Sequence, residues 1–299
     1  MSPWLFNVYM DGVVREVNAK AQGNGIEMVD WNGREWAINQ LLFAADTALV
    51  ANSEEKLSTL IRTFGSECEK RKFKVNAGKS KVMRCTRNQN AGNLNITLNG
   101  QMLEEVKVFK YLGSQASYDG RVEKEVCQRV KEASKCLGGM KSIMSNRYMS
   151  MNIKRKLYEA VIVPTVLYGA ETWNVSEPDK KKLNVFEMRC LRRMVGVARR
   201  DRVRNQSIRY RTGITEKLSS RVEKKVLGWF GHMERMNWGR LTSRVWRSRV
   251  RGANARGRPR TRWMNGVANG LHGRGMSVEQ GKAWAQDRGS WKAIVKGQQ

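Results

Sequence analysis

The apolar residues of this chain change their period after Asp119-Gly120, and that change sets the fold class. Ahead of it, short runs are punctuated by glycine turns. Gly25-Ile26-Glu27-Met28-Val29 alternates, and Gly33 separates it from Glu35-Trp36-Ala37-Ile38. A period near two builds half-buried strands. Beyond it, Val122, Val126, Val130, Ala133, Leu137, Met140 and Met144 step by three or four, the spacing of one helix face. The pattern predicts an α+β fold, with the strands confined to a mixed first third and helices after it.

Local signals place further elements. Residues 1–20 predict a helix with Pro3 in its first turn, where a missing N–H costs nothing. Leu41-Leu42-Phe43 and Ala48-Leu49-Val50 are two apolar arms about a small turn at 44–46. Asn52, with Glu55 three residues on, predicts the start of a helix whose Leu57, Leu60, Ile61, Phe64 and Cys68 share a face. Asn99-Gly100 between two apolar arms is a type I′ hairpin signal, and the run to Gly113 completes a β-meander. After the long helix, a second runs from about Ser150 and stops at Pro164, and a third starts near Ser176.

The net charge is +29, and it is unevenly placed. Residues 1–120 hold 15 basic and 13 acidic groups, 121–180 hold 11 and 7, and 181–299 hold 30 and 7. So large a local excess points to a polyanionic partner, RNA or DNA. Arg192 and Arg193 on the third helix, then Arg199, Arg200, Arg202 and Arg204, read as phosphate contacts, which carry affinity and little sequence information. Arg256-Gly257-Arg258-Pro259-Arg260 fits two readings equally, a slim arm for the narrow minor groove of A·T-rich DNA and a solvated basic linker.

Five scattered cysteines form no CxxC pair, and the two histidines complete no zinc knuckle with them. No run of about 18 apolar residues and no signal-peptide core is present. The expectation is an intracellular protein, nuclear or cytoplasmic, bound to nucleic acid and not to a membrane. Trp4, Trp31 and Trp36 are expected in the core, and His232 in a structural role. Gly78-Lys79-Ser80 is no P-loop, because Phe73 stands where the first glycine belongs. Asp46 beside Ala45, read alone, is a turn aspartate that caps its own backbone.

Four segments in order change that weighing: Ser2-Pro3-Trp4-Leu5-Phe6-Asn7, Phe43-Ala44-Ala45-Asp46, Asn76-Ala77-Gly78-Lys79-Ser80-Lys81 and Phe109-Lys110-Tyr111-Leu112-Gly113. The succession closely resembles reverse transcriptases of non-LTR, LINE-type retrotransposons, particularly the RTE-like kind. Leu167-Tyr168-Gly169-Ala170-Glu171-Thr172-Trp173 and Gly231-His232-Met233-Glu234-Arg235 resemble that family's tail, so the likeness spans essentially the whole chain.

The resemblance implies a partial polymerase palm over 1–118, an antiparallel sheet with helices. A helical thumb over 119–175 and a basic, Trp- and Arg-rich nucleic-acid-binding extension over 176–299 follow. It puts Ala45 where the family's first metal-binding aspartate belongs, and leaves Asp46 as the residual ligand. It further implies that Lys79 and Lys81 approach the nucleotide, that Tyr111 and Gly113 grip the primer end, and that fingers and another catalytic aspartate lie upstream or on a separate chain. The ancestral reaction is attack of a primer 3′-hydroxyl on a dNTP, helped by two Mg²⁺ ions. With Ala45 in place, neither the activity nor the Mg²⁺ is expected to be retained. The alternative expectation is a non-catalytic RNA- or DNA-binding protein of the same descent.

Overall fold

The computed structural model describes residues 3–86, 93–252 and 261–297, which form two compact units. In the first unit, α1 (Pro3–Lys20) is followed by β1 (Ile26–Asp30), β2 (Glu35–Ile38), β3 (Gln40–Phe43), β4 (Asp46–Leu49) and α2 (Glu54–Lys70). Met10, Val13 and Val17 recur at helical spacing on α1, and with Ala21 they bury against Leu60, Phe64 and Cys68 of α2. β1 and β2 pair antiparallel with Met28 opposite Trp36, and Gly33 takes φ +78° at their turn. Gly25 is required where it stands, because a Cβ there would lie 2.4 Å from the Ile38 carbonyl oxygen.

The cap of α2 is Ser53, one residue beyond the expected Asn52. Its hydroxyl oxygen accepts from the Lys56 N–H at 3.3 Å. That register puts both Glu54 and Glu55 in the first turn, where the helix dipole favours them.

β5 (Lys81–Val82), β6 (Thr97–Leu98), β7 (Gln101–Met102), β8 (Glu104–Glu105) and β9 (Val108–Tyr111) follow. Asn99 and Gly100, at φ 49° and 77°, make the expected hairpin turn between β6 and β7. The expected meander does not continue. β8 instead runs parallel to β5, with Lys81 opposite Glu104 and Val82 opposite Glu105. Opposite charge favours this partner: Lys81 pairs with Glu104, and Arg84 approaches Glu105 at 3.8 Å. Val82, Ile96, Leu98 and Leu103 close a second small core with Ile61 of α2.

Glu67 on α2 is buried and accepts from Lys20 Nζ at 2.7 Å, Lys70 Nζ at 2.8 Å and Arg71 Nη1 at 3.1 Å. The Lys20 ammonium, followed by that of Lys70, holds its carboxyl at about 2, against an ordinary 4.5. A depressed carboxyl contributes stability above the ordinary value and loses it as pH falls through the folded value. The melting-temperature difference between the protein and Glu67→Gln is therefore expected to be constant above pH 5 and to shrink steadily toward pH 2. A difference independent of pH across that window would contradict the assignment.

The second unit opens with β10 (Ser114–Ser117), α3 (Glu123–Gly139) and α4 (Lys141–Ser145), the long apolar stripe breaking at Met140 after two glycines. α5 (Met151–Leu157) leads through a wider π turn at Tyr158–Ile162 into α6 (Val163–Val166). The helix expected to stop at Pro164 thus passes through it. A proline ring clashes with the carbonyl four residues back and removes one N–H. The π turn contains that carbonyl, of Ala160, and re-aims the ladder.

α7 (Glu177–Val195) has a complete capping box between Ser176 and Asp179, and ends at Gly196 with φ 69°. It buries Leu183, Phe186, Cys190, Leu191 and Met194, and packs on α3, α8 (Asn205–Thr212) and α9 (Leu218–Glu234).

The basic tail does not stay together. α10 (Leu241–Trp246) and β11 (Ser248–Val250) belong to the first unit, where β11 adds to β1 antiparallel, Val29 opposite Arg249. Trp36 Nε1 donates to Ser248 Oγ at 3.0 Å, and the Arg244 guanidinium lies 4.2 Å over the Trp36 ring. α11 (Trp263–His272), α12 (Val278–Ala285) and α13 (Arg288–Lys296) return to the second unit and pack on α9. Two core expectations fail here. Trp4 and Trp31 are 81% and 72% exposed, because α1 turns its Met10–Val13–Val17 face inward and Trp31 sits at the β1–β2 turn.

Candidate functional site

The β3–β4 hairpin is two residues across at its tip. Leu42 faces Thr47 and Phe43 faces Asp46, which leaves Ala44 and Ala45 as the turn. Ala44 is held at φ 51°, a left-handed conformation that costs an L residue about 1–2 kcal/mol. The hairpin therefore aims residues 45 and 46 outward together, and Asp46 is exposed.

Tyr111 lies in the same neighbourhood. Its phenol is pushed up, first by burial and then by the Asp46 carboxylate. Leu112 and Gly113, both at positive φ, turn the chain just after it. Lys79 is exposed on a turn held by Asn76, whose Oδ1 accepts from the Lys79 N–H at 3.1 Å. Lys81 is instead committed to Glu104.

A pair of Mg²⁺ ions needs several carboxylate oxygens in one cage. The hairpin offers one carboxylate, with the Ala45 methyl beside it, and no three His, Cys, Asp or Glu side chains gather among the described residues. This donor set does not fit a two-ion site. Nor do the two buried cysteines of the units offer a nucleophile: burial pushes the Cys68 thiol to about 11 and that of Cys190 to about 12.

The second unit carries a cleft of about 1980 Å³ along the outer face of α7. Arg192, Arg193 and Arg199 line it, while Arg200, Arg202 and Arg204 do not. Arg192 donates to Asn205 Oδ1 at 2.6 Å, and Arg193 to the Leu137 carbonyl at 3.2 Å. Residues that the charge count did not single out join them, namely Arg209, Lys217, Ser219 and Ser220. No short sequence signal links these to α7; only the packing of α8 and α9 on α7 brings them in. Lys182 turns away, to Glu123 at 2.6 Å. Arg256, Arg258 and Arg260 lie outside the described residues. No helix among the described residues is long and apolar enough to cross a membrane.

The two tail motifs are structural. Gly169 takes φ 68°, Trp173 is buried, and the Trp263 indole N–H donates to the Glu171 carbonyl at 2.9 Å. Gly231 lies under Trp291, whose indole N–H donates to the Leu227 carbonyl at 3.0 Å. His232 is exposed, its ring 5.1 Å from that of Trp229.

Two comparisons with known proteins return a match. Residues 1–116 match the model of the reverse transcriptase (RNA-dependent DNA polymerase) family. Over 283 residues the chain is 25% identical to a protein of Caenorhabditis elegans described as transposon-derived and uncharacterized, covering 89% of this chain and 97% of that one. No solved structure matches. The first 116 residues are thus similar to a reverse transcriptase domain, and the likeness to the nematode protein extends over most of the chain.

Proposed function

We propose that this chain is a remnant of a LINE-type, RTE-like reverse transcriptase that has lost polymerisation and kept nucleic-acid binding. One observation carries the first half: the β3–β4 turn presents Ala45 and Asp46 where the family box needs two carboxylates. Loss of an oxygen ligand from hard cations that need several removes the cage for the attacking and leaving oxygens. Tyr111 and Lys79 keep positions near the hairpin and on an exposed turn, as binding residues without a reaction to serve.

The charge of residues 181–299 supports the second half. In this reading the first unit is a partial palm, the helices after Gly120 a thumb, and the basic residues beyond Ser176 the main nucleic-acid surface. The protein then resides with RNA or DNA, in nucleus or cytoplasm. The test is primer extension on an RNA template with Mg²⁺ or Mn²⁺, beside binding of the same template. Binding without extension is the expected result; extension that Asp46→Ala abolishes would overturn the proposal.

A further inference from the structure

Resting on the nucleic-acid reading just given, we infer that the cleft along α7 takes single-stranded RNA. Its lining holds eight Lys and Arg side chains against two carboxylates, Glu177 and Glu223. Lys181, Arg199 and Lys217 are exposed and carry no ion pair among the described residues, so they are free to meet phosphates. α9 begins at the same cleft with no acid in its first turn; Asn184 takes the Ser219 N–H, while the side chain of Lys217, the cap residue, caps none, so the helix dipole there still favours a phosphate.

Charge alone suits any nucleic acid; the cleft's floor is more selective. Pro178, Val185, Met188 and Val197 run between the cations, and Val185 is 59% exposed. A duplex presents phosphates and sugars outward and would leave this strip wet. Unstacked bases bury on such a surface. Tyr210, 88% exposed, stands one helical turn beyond Gln206 of the lining and offers an aromatic face to a base.

The polar groups favour RNA over DNA. Asn184, Gln206, Ser219 and Ser220 are interspersed with the cations, and amides and hydroxyls both donate to and accept from a 2′-hydroxyl. Asn184 Oδ1 accepts from the Ser219 N–H at 3.3 Å, which leaves its amide N–H groups to the cleft.

The test is fluorescence anisotropy on the full chain at 150 mM salt with three probes: a 20-nucleotide RNA, the DNA of the same sequence, and the RNA duplex. The single-stranded RNA is expected to bind about fivefold or more tightly than either of the others. Val185→Lys is the decisive variant because it adds a positive charge while filling the apolar seat. The inference predicts about tenfold weaker RNA binding; simple electrostatic attraction predicts unchanged or tighter binding. Lys181→Gln/Arg199→Gln/Lys217→Gln is compared with Arg288→Gln/Lys292→Gln/Lys296→Gln, which removes the same charge from α13. Only the first should flatten the salt dependence, by about 2 in log–log slope. A thermal melt of each variant shows whether it is folded, and 4-thiouridine crosslinks from RNA to the α7 peptide report the site in the unmutated protein. Equal effects of the two triple variants, tighter binding by Val185→Lys, equal affinity for the three probes, or crosslinks outside α7–α9 would each overturn the cleft while leaving nucleic-acid binding intact. Absence of binding to every probe would remove the broader reading too.

Discussion

Neutralising four exposed cations of the second unit should cut the salt dependence of nucleic-acid binding by nearly half, while four in the first unit should leave it unchanged. Each phosphate neutralised releases counterions and contributes about −0.7 to −0.9 to the slope of log affinity against log salt. A protein making six to ten such contacts loses roughly 10³–10⁵ in affinity between 50 and 200 mM salt. Lys181→Gln/Arg199→Gln/Arg200→Gln/Lys217→Gln should make the slope shallower by about 3. Lys72, Lys74, Lys107 and Lys110 are as exposed, but they sit in a segment with 15 basic and 13 acidic groups, so their fields largely cancel. Their fourfold replacement by Gln should leave the slope unchanged. Charge replacement is the cleaner comparison than cutting the chain at Ser176. Such a cut removes β11 from β1 and α7 from α3, and so unfolds what it is meant to test. Equal slopes for the two fourfold variants would contradict a second-unit surface.

Trp291→Ala is expected to be the most destabilising single change in the second unit. The ring is 3% exposed, packs tilted against Phe230 with centroids 5.6 Å apart, and spends its N–H on the Leu227 carbonyl. Truncating a buried Trp costs about 3–5 kcal/mol through lost transfer energy and the cavity left behind. Gly231→Ala attacks the same contact from the other side. A Cβ there would sit 2.1 Å from Trp291 Nε1, with the rest of α13 held in place behind the ring. Overpacking of this kind costs about 1–3 kcal/mol. Because both changes spoil one contact, the double variant should cost clearly less than the sum. Chemical denaturation with a probe in the second unit measures all three. Additive losses, or a Gly231→Ala variant as stable as the parent, would show that the ring does not rest on that glycine.

Much of this architecture is legible from local pattern. α1, α2 and α7 follow from apolar spacing with their caps, and the Asn99-Gly100 hairpin follows from two residues that accept positive φ. The hairpin at 44–45 is legible as two apolar arms, and only the ordered motifs around it suggest a chemistry for its tip. What sequence hides is partner choice. Nothing in Glu104-Glu105 says that these residues pair with Lys81-Val82 and not with their neighbours. Nothing near Ser248 says that it continues a sheet begun more than 200 residues earlier. Pro164 is a local stop signal overridden by a local widening of the helix. The cleft is hidden for the same reason as the strand pairings. Its cations run from Lys180 to Lys217 on two helices and the entry to a third, and only packing makes them one surface.

The measurement that bears most directly on the proposed loss of polymerisation is primer extension by Ala45→Asp beside the parent chain and Asp46→Ala. All three should bind template and none should extend the primer. Restoring position 45 gives two adjacent carboxylates on one turn, and no third His, Cys, Asp or Glu gathers there among the described residues to bridge a pair of ions about 3.5–4 Å apart. Extension by Ala45→Asp alone, or by the parent chain and lost in Asp46→Ala, would show that the hairpin still belongs to a working metal site.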